Sequence, residues 1–436
     1  MKRIQFFLYY FLICASVAVA QDDIYPAQEY KGLLFITNAT IHVGNGQVIN
    51  NGTIQVNNGK IEKVGTSIPI PADQVKVFDV KGKQVYPGLI LSNSDIGLKE
   101  ISSGVRGSND YTELGDFNPS IRSIVAYNTD SKIINTLKTN GILLANVAPQ
   151  GDMLTGSSTV VQLDAWNWED AAYKMENGMH YNMPELISRR NRFAALAGLP
   201  PQADPLKEAL EKIESTKIFF REAKSYLLEP THEKVNLKFE SLRAVFEKKQ
   251  KFFVHCNLVK EILLAIDFSK EFGFDVVIVG GTECWQIAPL LQQNNIAVIL
   301  SQEHNLPTTE DDDVDQPFKT PAVLQKAGVL FALNDDDQNT RSRNLAFNAG
   351  TAAAYGLSKE EALQAITLNA AKILGIADRT GSIEVGKDAN IIVSEGDILD
   401  MKTSIVTDAF IQGRKVELND KHKQLYERYK HKYGLK

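Results

Sequence analysis

Asn93 and Asp95 stand two apart at the end of the β-rich text Leu89-Ile90-Leu91-Ser92, so a strand here turns both side chains to one face. Asn93 is a poor ligand for a transition-metal ion, whereas Asp95 offers an oxygen to a harder one. Three other places join chemistry-bearing side chains to strand-like text. His255 follows Phe252-Phe253-Val254, Glu303 and His304 follow the run Ile296 to Leu300, and Asp335 follows Phe331-Ala332-Leu333-Asn334. Imidazoles and carboxylates at strand ends ligate metals and carry protons. Each also has a plainer reading. A histidine beside an apolar strand is an ordinary core residue when taken alone, and Glu303, His304 and the run Asp335-Asp336-Asp337 read as solvated loop.

The elements that position these groups follow from hydrophobic rhythm. Apolar, β-branched runs occur at Val85 to Leu91, Ile142 to Val147, Thr159 to Leu163, Phe252 to Val254, Val276 to Val279, Ile296 to Leu300 and Val329 to Leu333, several of them followed by helical text. Such runs are the mark of buried parallel strands. An eight-stranded barrel then lacks one strand, which the spacing assigns to the charged helical insertion between about 166 and 250. Towards the N-terminus, short β-rich segments (Leu34 to Val43, Gly52 to Val56, Lys60 to Val64) alternate with Asn-Gly pairs at 45–46, 51–52 and 58–59, which reads as antiparallel hairpins. β-rich text returns from Gly381 to Ile391 and from Phe410 to Val416. The expected class is therefore α/β, a TIM-like (β/α)8 barrel with a small β-sandwich formed from both termini. The expected divisions are 21–85 and 381–418 for the sandwich, 86–380 for the barrel and 419–436 for a tail helix.

The text around these candidates resembles the amidohydrolase superfamily, metal-dependent hydrolases of C–N and related bonds. Val85-Tyr86-Pro87-Gly88-Leu89-Ile90 is similar to the family's first barrel strand, which normally continues into a His-x-His pair; here Asn93-Ser94-Asp95 stands in its place. Leu357 to Leu363, Thr367 to Ala371 and Gly381 to Ala389 resemble the post-barrel text, and the whole is similar to the imidazolonepropionase-like, exported branch. The resemblance implies that His255 is the fifth-strand metal ligand and Asp335 the eighth-strand ligand and proton acceptor. It implies one divalent ion, zinc or another, although a site with none is equally open. Asp95 is a further possible ligand, and Asn93, Glu303 and His304 are candidates for substrate contact or replacement ligation. The sixth-strand histidine falls near Gly280, which has nothing to ligate with, and no fourth-strand lysine can be placed.

Composition bounds the partners. The 436 residues are 44% hydrophobic and 23% charged with a net charge of -6, a globular balance that argues against a nucleic-acid footprint and leaves a small molecule as partner. Lys2 and Arg3, an apolar run from Ile4 to Val17, and Ala18-Val19-Ala20 before Gln21 read as a signal peptide cut after Ala20. That implies a periplasmic or secreted protein with no stable membrane insertion after cleavage; a lipid-anchored form on Cys14 is the lesser alternative. Cys256 and Cys284 then remain, read as buried free thiols. The run Glu310 to Asp313 with Asp315 lacks the spacing of a calcium loop, and Asp110, Glu113 and Asp116 read as solvated. The acidic groups of the mature chain thus leave two functions standing. One is a hydrolase of non-peptide C–N bonds using metal-activated water, and the other is a pseudoenzyme that binds a small molecule without cleaving it. Oligomeric state has no signal in the sequence.

Overall fold

The computed structural model describes residues 25–72, 75–100, 111–186, 205–308, 311–336 and 339–435. The signal segment, Cys14, Asp110, Glu310 and Asp337 lie outside them.

The two ends of the chain build one eight-stranded sheet. It is made of β1 (Leu33–His42), β2 (Val48–Asn57), β3 (Lys60–Gly65), β4 (Lys76–Asp79) and β5 (Gln84–Pro87) from the N-terminal side, with β14 (Ile391–Ser394), β15 (Val406–Ile411) and β16 (Arg414–Val416) from the C-terminal side. β5 joins the halves, pairing parallel with β1 and antiparallel with β14. These strands share a core of their own, with Leu34, Ile36, Ile54, Val85, Ile391 and Phe410 among its members. The Asn-Gly pairs divide by role. Asn58-Gly59 makes the tight turn from β2 to β3, both residues at positive φ, as a turn matched to strand twist requires. Asn51-Gly52 is not a turn. It lies inside β2 at a break in register opposite Ala39, where a Cβ on Gly52 would stand 2.5 Å from Ile41 Cδ1.

The second sheet is the barrel, in the order β13 to β6: β6 (Leu89–Ser94), β7 (Ile142–Val147), β8 (Leu154–Gln162), β9 (Ala172–Asn182), β10 (Lys251–Cys256), β11 (Val276–Gly280), β12 (Ala297–Leu300) and β13 (Phe331–Leu333). The missing strand is β9, inside the stretch expected to be helical. Half-buried Lys174 and exposed Glu176 break its apolar text and hide it from an apolar-run search, and Glu176 at φ 49 interrupts it. Gly178 explains how it still packs: a Cβ there would lie 1.9 Å from the Phe253 ring. β8 is a strand as expected, but it runs antiparallel to β7 and β9 rather than parallel. The connection 148–153 is far too short for the dozen or so residues of a parallel crossover, so the chain must reverse.

β9 and β10 fix which face looks inward. Tyr181 and Phe252 meet Phe220 and Phe268 of the helices Pro205–Leu228 and Val259–Phe272, so their face is the outer one. His180, Phe253 and His255 alternate with them and point into the barrel.

The first and last strands are not joined by a ladder. The Asn334 side chain bridges them instead: its Oδ1 accepts from the Asn93 backbone N–H at 3.1 Å and its amide donates to the Asn93 carbonyl at 3.0 Å. Asn334's own N–H donates to Leu300 O. Removing this amide strands two buried backbone groups at about 1–3 kcal/mol each. Asn334→Ala is expected to lower unfolding free energy by at least about 2 kcal/mol in chemical denaturation. A change below about 0.5 kcal/mol, typical of an unimportant surface position, would show that the barrel closes by other means.

Candidate functional site

The candidate site is the C-terminal end of the barrel. On β9 and β10, His180 Nδ1 lies 2.8 Å from His255 Nε2, a hydrogen bond in which one ring donates and the other accepts. Phe253 stacks on His180, 4.8 Å between centroids. Removal from water disfavours the imidazolium form of both: burial pushes His255 down to about 4 and holds His180 well below the usual histidine range, with the neighbouring His255 lowering it further. The pair is neutral at ordinary pH. His180 had no expected role; with β9 unseen, nothing placed it on a strand. His42, likewise unassigned, closes β1 and bonds Glu360 and Gln84, away from the barrel interior.

Asp335 lies two residues past the end of β13, after Asn334, and is buried. Asn348, in the helix Leu345–Ala354, donates to Asp335 Oδ2 at 2.9 Å, while its Oδ1 accepts from the Glu303 N–H at 2.9 Å and the His304 N–H at 3.4 Å. One buried amide therefore fixes the two loops that follow β12 and β13. Sequence reasoning missed Asn348, although a lone carboxamide in Leu-Ala-Phe-Asn-Ala-Gly was a usable signal.

The other candidates separate. Glu303 is buried, its Oε2 has no partner among the described residues, and burial raises its carboxyl well above the usual range. Its charged form would be felt by Cys284, whose thiol burial pushes up; Cys256 and Cys284 are both free and buried. His304 turns away, with Nε2 2.8 Å from Thr351 Oγ1 and its ring edge-on to Phe318. Asp95 sits in the turn after β6, where burial raises its carboxyl and Lys99 opposes that shift. Asn93 is buried, and its backbone rather than its side chain holds the Asn334 bridge. Glu113 and Asp116 are exposed. Asp313 pairs with Lys319 at the surface.

These side chains do not fit the metal set that the sequence resemblance implied. His180 Nδ1 and His255 Nε2 lie 2.8 Å apart and bond each other, closer than the roughly 3.3 Å that separates two nitrogens held at about 2.0–2.1 Å on one tetrahedral ion. β9 ends in His180-Tyr181-Asn182 with no lysine at its C-terminal end, and its Lys174 donates to Gly375 O instead. Gly280, at φ 100, is required by the backbone, since a Cβ would stand 2.5 Å from Asn257 Oδ1. Among the described residues, no three His, Cys, Asp or Glu side chains are grouped so as to hold an ion.

Comparison with known proteins agrees with the fold. Residues 281–416 match the Amidohydrolase family. The crystal structure of an amidohydrolase from Thermotoga maritima MSB8 superposes with a TM-score of 0.76 at 28% identity, over 88% of this chain and 99% of that one. The imidazolonepropionase of Mesorhizobium japonicum is 23% identical over 72% of this chain and 78% of its own. That of Thermoplasma volcanium is 35% identical over 86 residues, 19% of this chain and only 21% of that protein. The chain belongs to the amidohydrolase superfamily. Within it, imidazolonepropionases are among its relatives.

Proposed function

We propose that this protein is an amidohydrolase-type hydrolase that acts on a non-peptide C–N bond of a small cyclic or acylated amide at the C-terminal end of the barrel. The observation that carries the reading is Asp335, a buried carboxylate held by Asn348 two residues past the last barrel strand. Hydrolysis adds water across the C–N bond. Asp335 accepts a proton from the attacking water and returns it to the departing nitrogen, so the carbonyl carbon gains the hydroxyl and the amine leaves neutral. No step is routed through a metal ion, because the donor geometry does not supply one.

A second reading, capture of a small molecule without cleavage, is favoured by the mutual bonding of His180 and His255, which ties up two groups that would otherwise face a substrate. Turnover separates the two. Hydrolysis of a cyclic amide or acylated amino acid by the mature protein is expected, and Asp335→Asn is expected to lower kcat/KM about a hundredfold or more with the fold intact by circular dichroism. Saturable binding of these compounds with no product would establish the second reading.

The protein is further proposed to be exported, on the strength of its N-terminal text. No helix among the described residues is long and apolar enough to cross a membrane. N-terminal mass spectrometry of the protein from its native host is expected to begin at Gln21; an intact Met1 on the bulk of the protein would contradict this.

A further inference from the structure

The C-terminal helix, Lys421–Tyr433, takes no part in the chemistry above and places no residue in either hydrophobic core. It is fastened to the barrel by the residue before it. Asp420 is buried; its Oδ1 accepts from the Lys423 N–H at 2.8 Å as the helix cap, and its Oδ2 accepts from Thr139 Oγ1 at 2.7 Å, just past the helix Lys132–Lys138. Beyond that anchor none of the thirteen helical residues is buried. A helix of this length is marginal in water on its own and ordinarily draws its stability from a packed face. This one presents a face with no other described part of the chain upon it.

Tyr426, Tyr429 and Tyr433 stand three and four residues apart, hence in one row, and are 63%, 52% and 65% exposed. Lys430 Nζ lies over the Tyr426 ring at 5.4 Å, and Lys432 Nζ lies 5.6 and 5.1 Å from the ring centres of Tyr429 and Tyr433, so cations and rings form a single surface. With Lys421, Lys423 and Arg428 the helix holds five cations against one carboxylate, Glu427, a net charge of +4. The whole chain is -6, so everything outside the helix sums to -10. Positive charge is concentrated on the one element that is exposed on every side.

A partner has to match both halves of that face. Ammonium and guanidinium groups match a dense array of phosphates, and a row of tyrosines matches a depth at which an apolar ring and a wet hydroxyl are satisfied together; the headgroup layer of an anionic bilayer offers both. The helix is too short to cross the bilayer, so it lies along the surface. The acidic remainder of the protein is repelled from the same surface, which turns the helix towards it. We infer that Lys421–Tyr433 is a docking helix for an anionic phospholipid surface, holding the protein at a bilayer by reversible contact rather than by insertion. This does not rest on the hydrolase reading, since no residue of the barrel mouth enters it.

The test is co-sedimentation of the full mature chain with vesicles of phosphatidylcholine containing about one third phosphatidylglycerol, and with vesicles of phosphatidylcholine alone. Saturable binding is expected to the first and binding about tenfold or more weaker to the second. Raising the salt from about 0.05 M to about 0.5 M, where charges are screened within a few ångströms, is expected to release the protein. Arg428→Gln combined with Lys432→Gln is expected to weaken binding to the anionic vesicles about tenfold or more, and Tyr426→Ser combined with Tyr429→Ser about threefold or more. Both are expected to keep the parent melting temperature, because no side chain of the helix is buried. Arg428→Lys, which keeps the charge, is expected to bind within about twofold of the parent. Equal binding to the two kinds of vesicle, no binding to the anionic one, or undiminished binding by the Arg428→Gln, Lys432→Gln protein would overturn the inference. A dimer that these substitutions dissociate, formed without any vesicle binding, would assign the helix to a second copy of the chain and overturn it equally.

Discussion

The barrel depends on the way Asn334 holds Asn93. Eight strands are ordered side by side, but the last and the first are tied by a side-chain amide that copies a backbone ladder, accepting one N–H and donating to one C=O. Because the bridge grips the Asn93 backbone, it fixes the extra residue at the end of β6. Because it comes from the residue before Asp335, it also fixes where the chain leaves β13, and the Asn348 amide then takes hold of the Asp335 carboxylate. Closure and site are one construction.

The sheet built from the termini is anchored to the barrel by buried charge. Asp164, after β8, accepts from Lys138 and from the Ala27 N–H, while Arg414 on β16 reaches Gln162 and the Asp164 carbonyl. A buried carboxylate is tolerated only when it is paired and hydrogen-bonded in this manner. On the other side, the Tyr86 hydroxyl accepts from the Ile398 N–H and its ring stacks on His42, so β5 is locked on both flanks. The start of β6 follows immediately, and its register inherits that rigidity.

What was legible in the sequence was whatever apolar repetition encodes. The runs at Ile142 to Val147, Val276 to Val279 and Ile296 to Leu300 are strands buried on both faces, and their text shows it. The Gly381 to Ile391 segment likewise leads into β14 of the terminal sheet. β9 was hidden because Lys174, Glu176 and Asn177 interrupt its apolar pattern and a glycine, Gly178, stands where a large inward neighbour packs. The reversed direction of β8 lay in a loop length rather than in composition. His180 and Asn348 were missed for a related reason: each acts through a partner distant in the chain, His255 and Asp335, and no local spacing announces that. His304 failed the other way. Its position after β12 suggested the mouth, but adjacent residues leave a strand end in different directions, and only Glu303 is buried there.

The central claim is that this chain keeps the amidohydrolase scaffold while the side chains at the barrel mouth no longer make the metal set that the resemblance implies. His180 and His255 bond each other, and Gly280 at the end of β11 offers no side chain to an ion. The most direct test is elemental mass spectrometry of the untagged mature protein, purified without chelator and dialysed against metal-free buffer. The account predicts transition metal far below one equivalent per chain. One or two tightly retained equivalents of zinc, manganese, nickel or iron would contradict it.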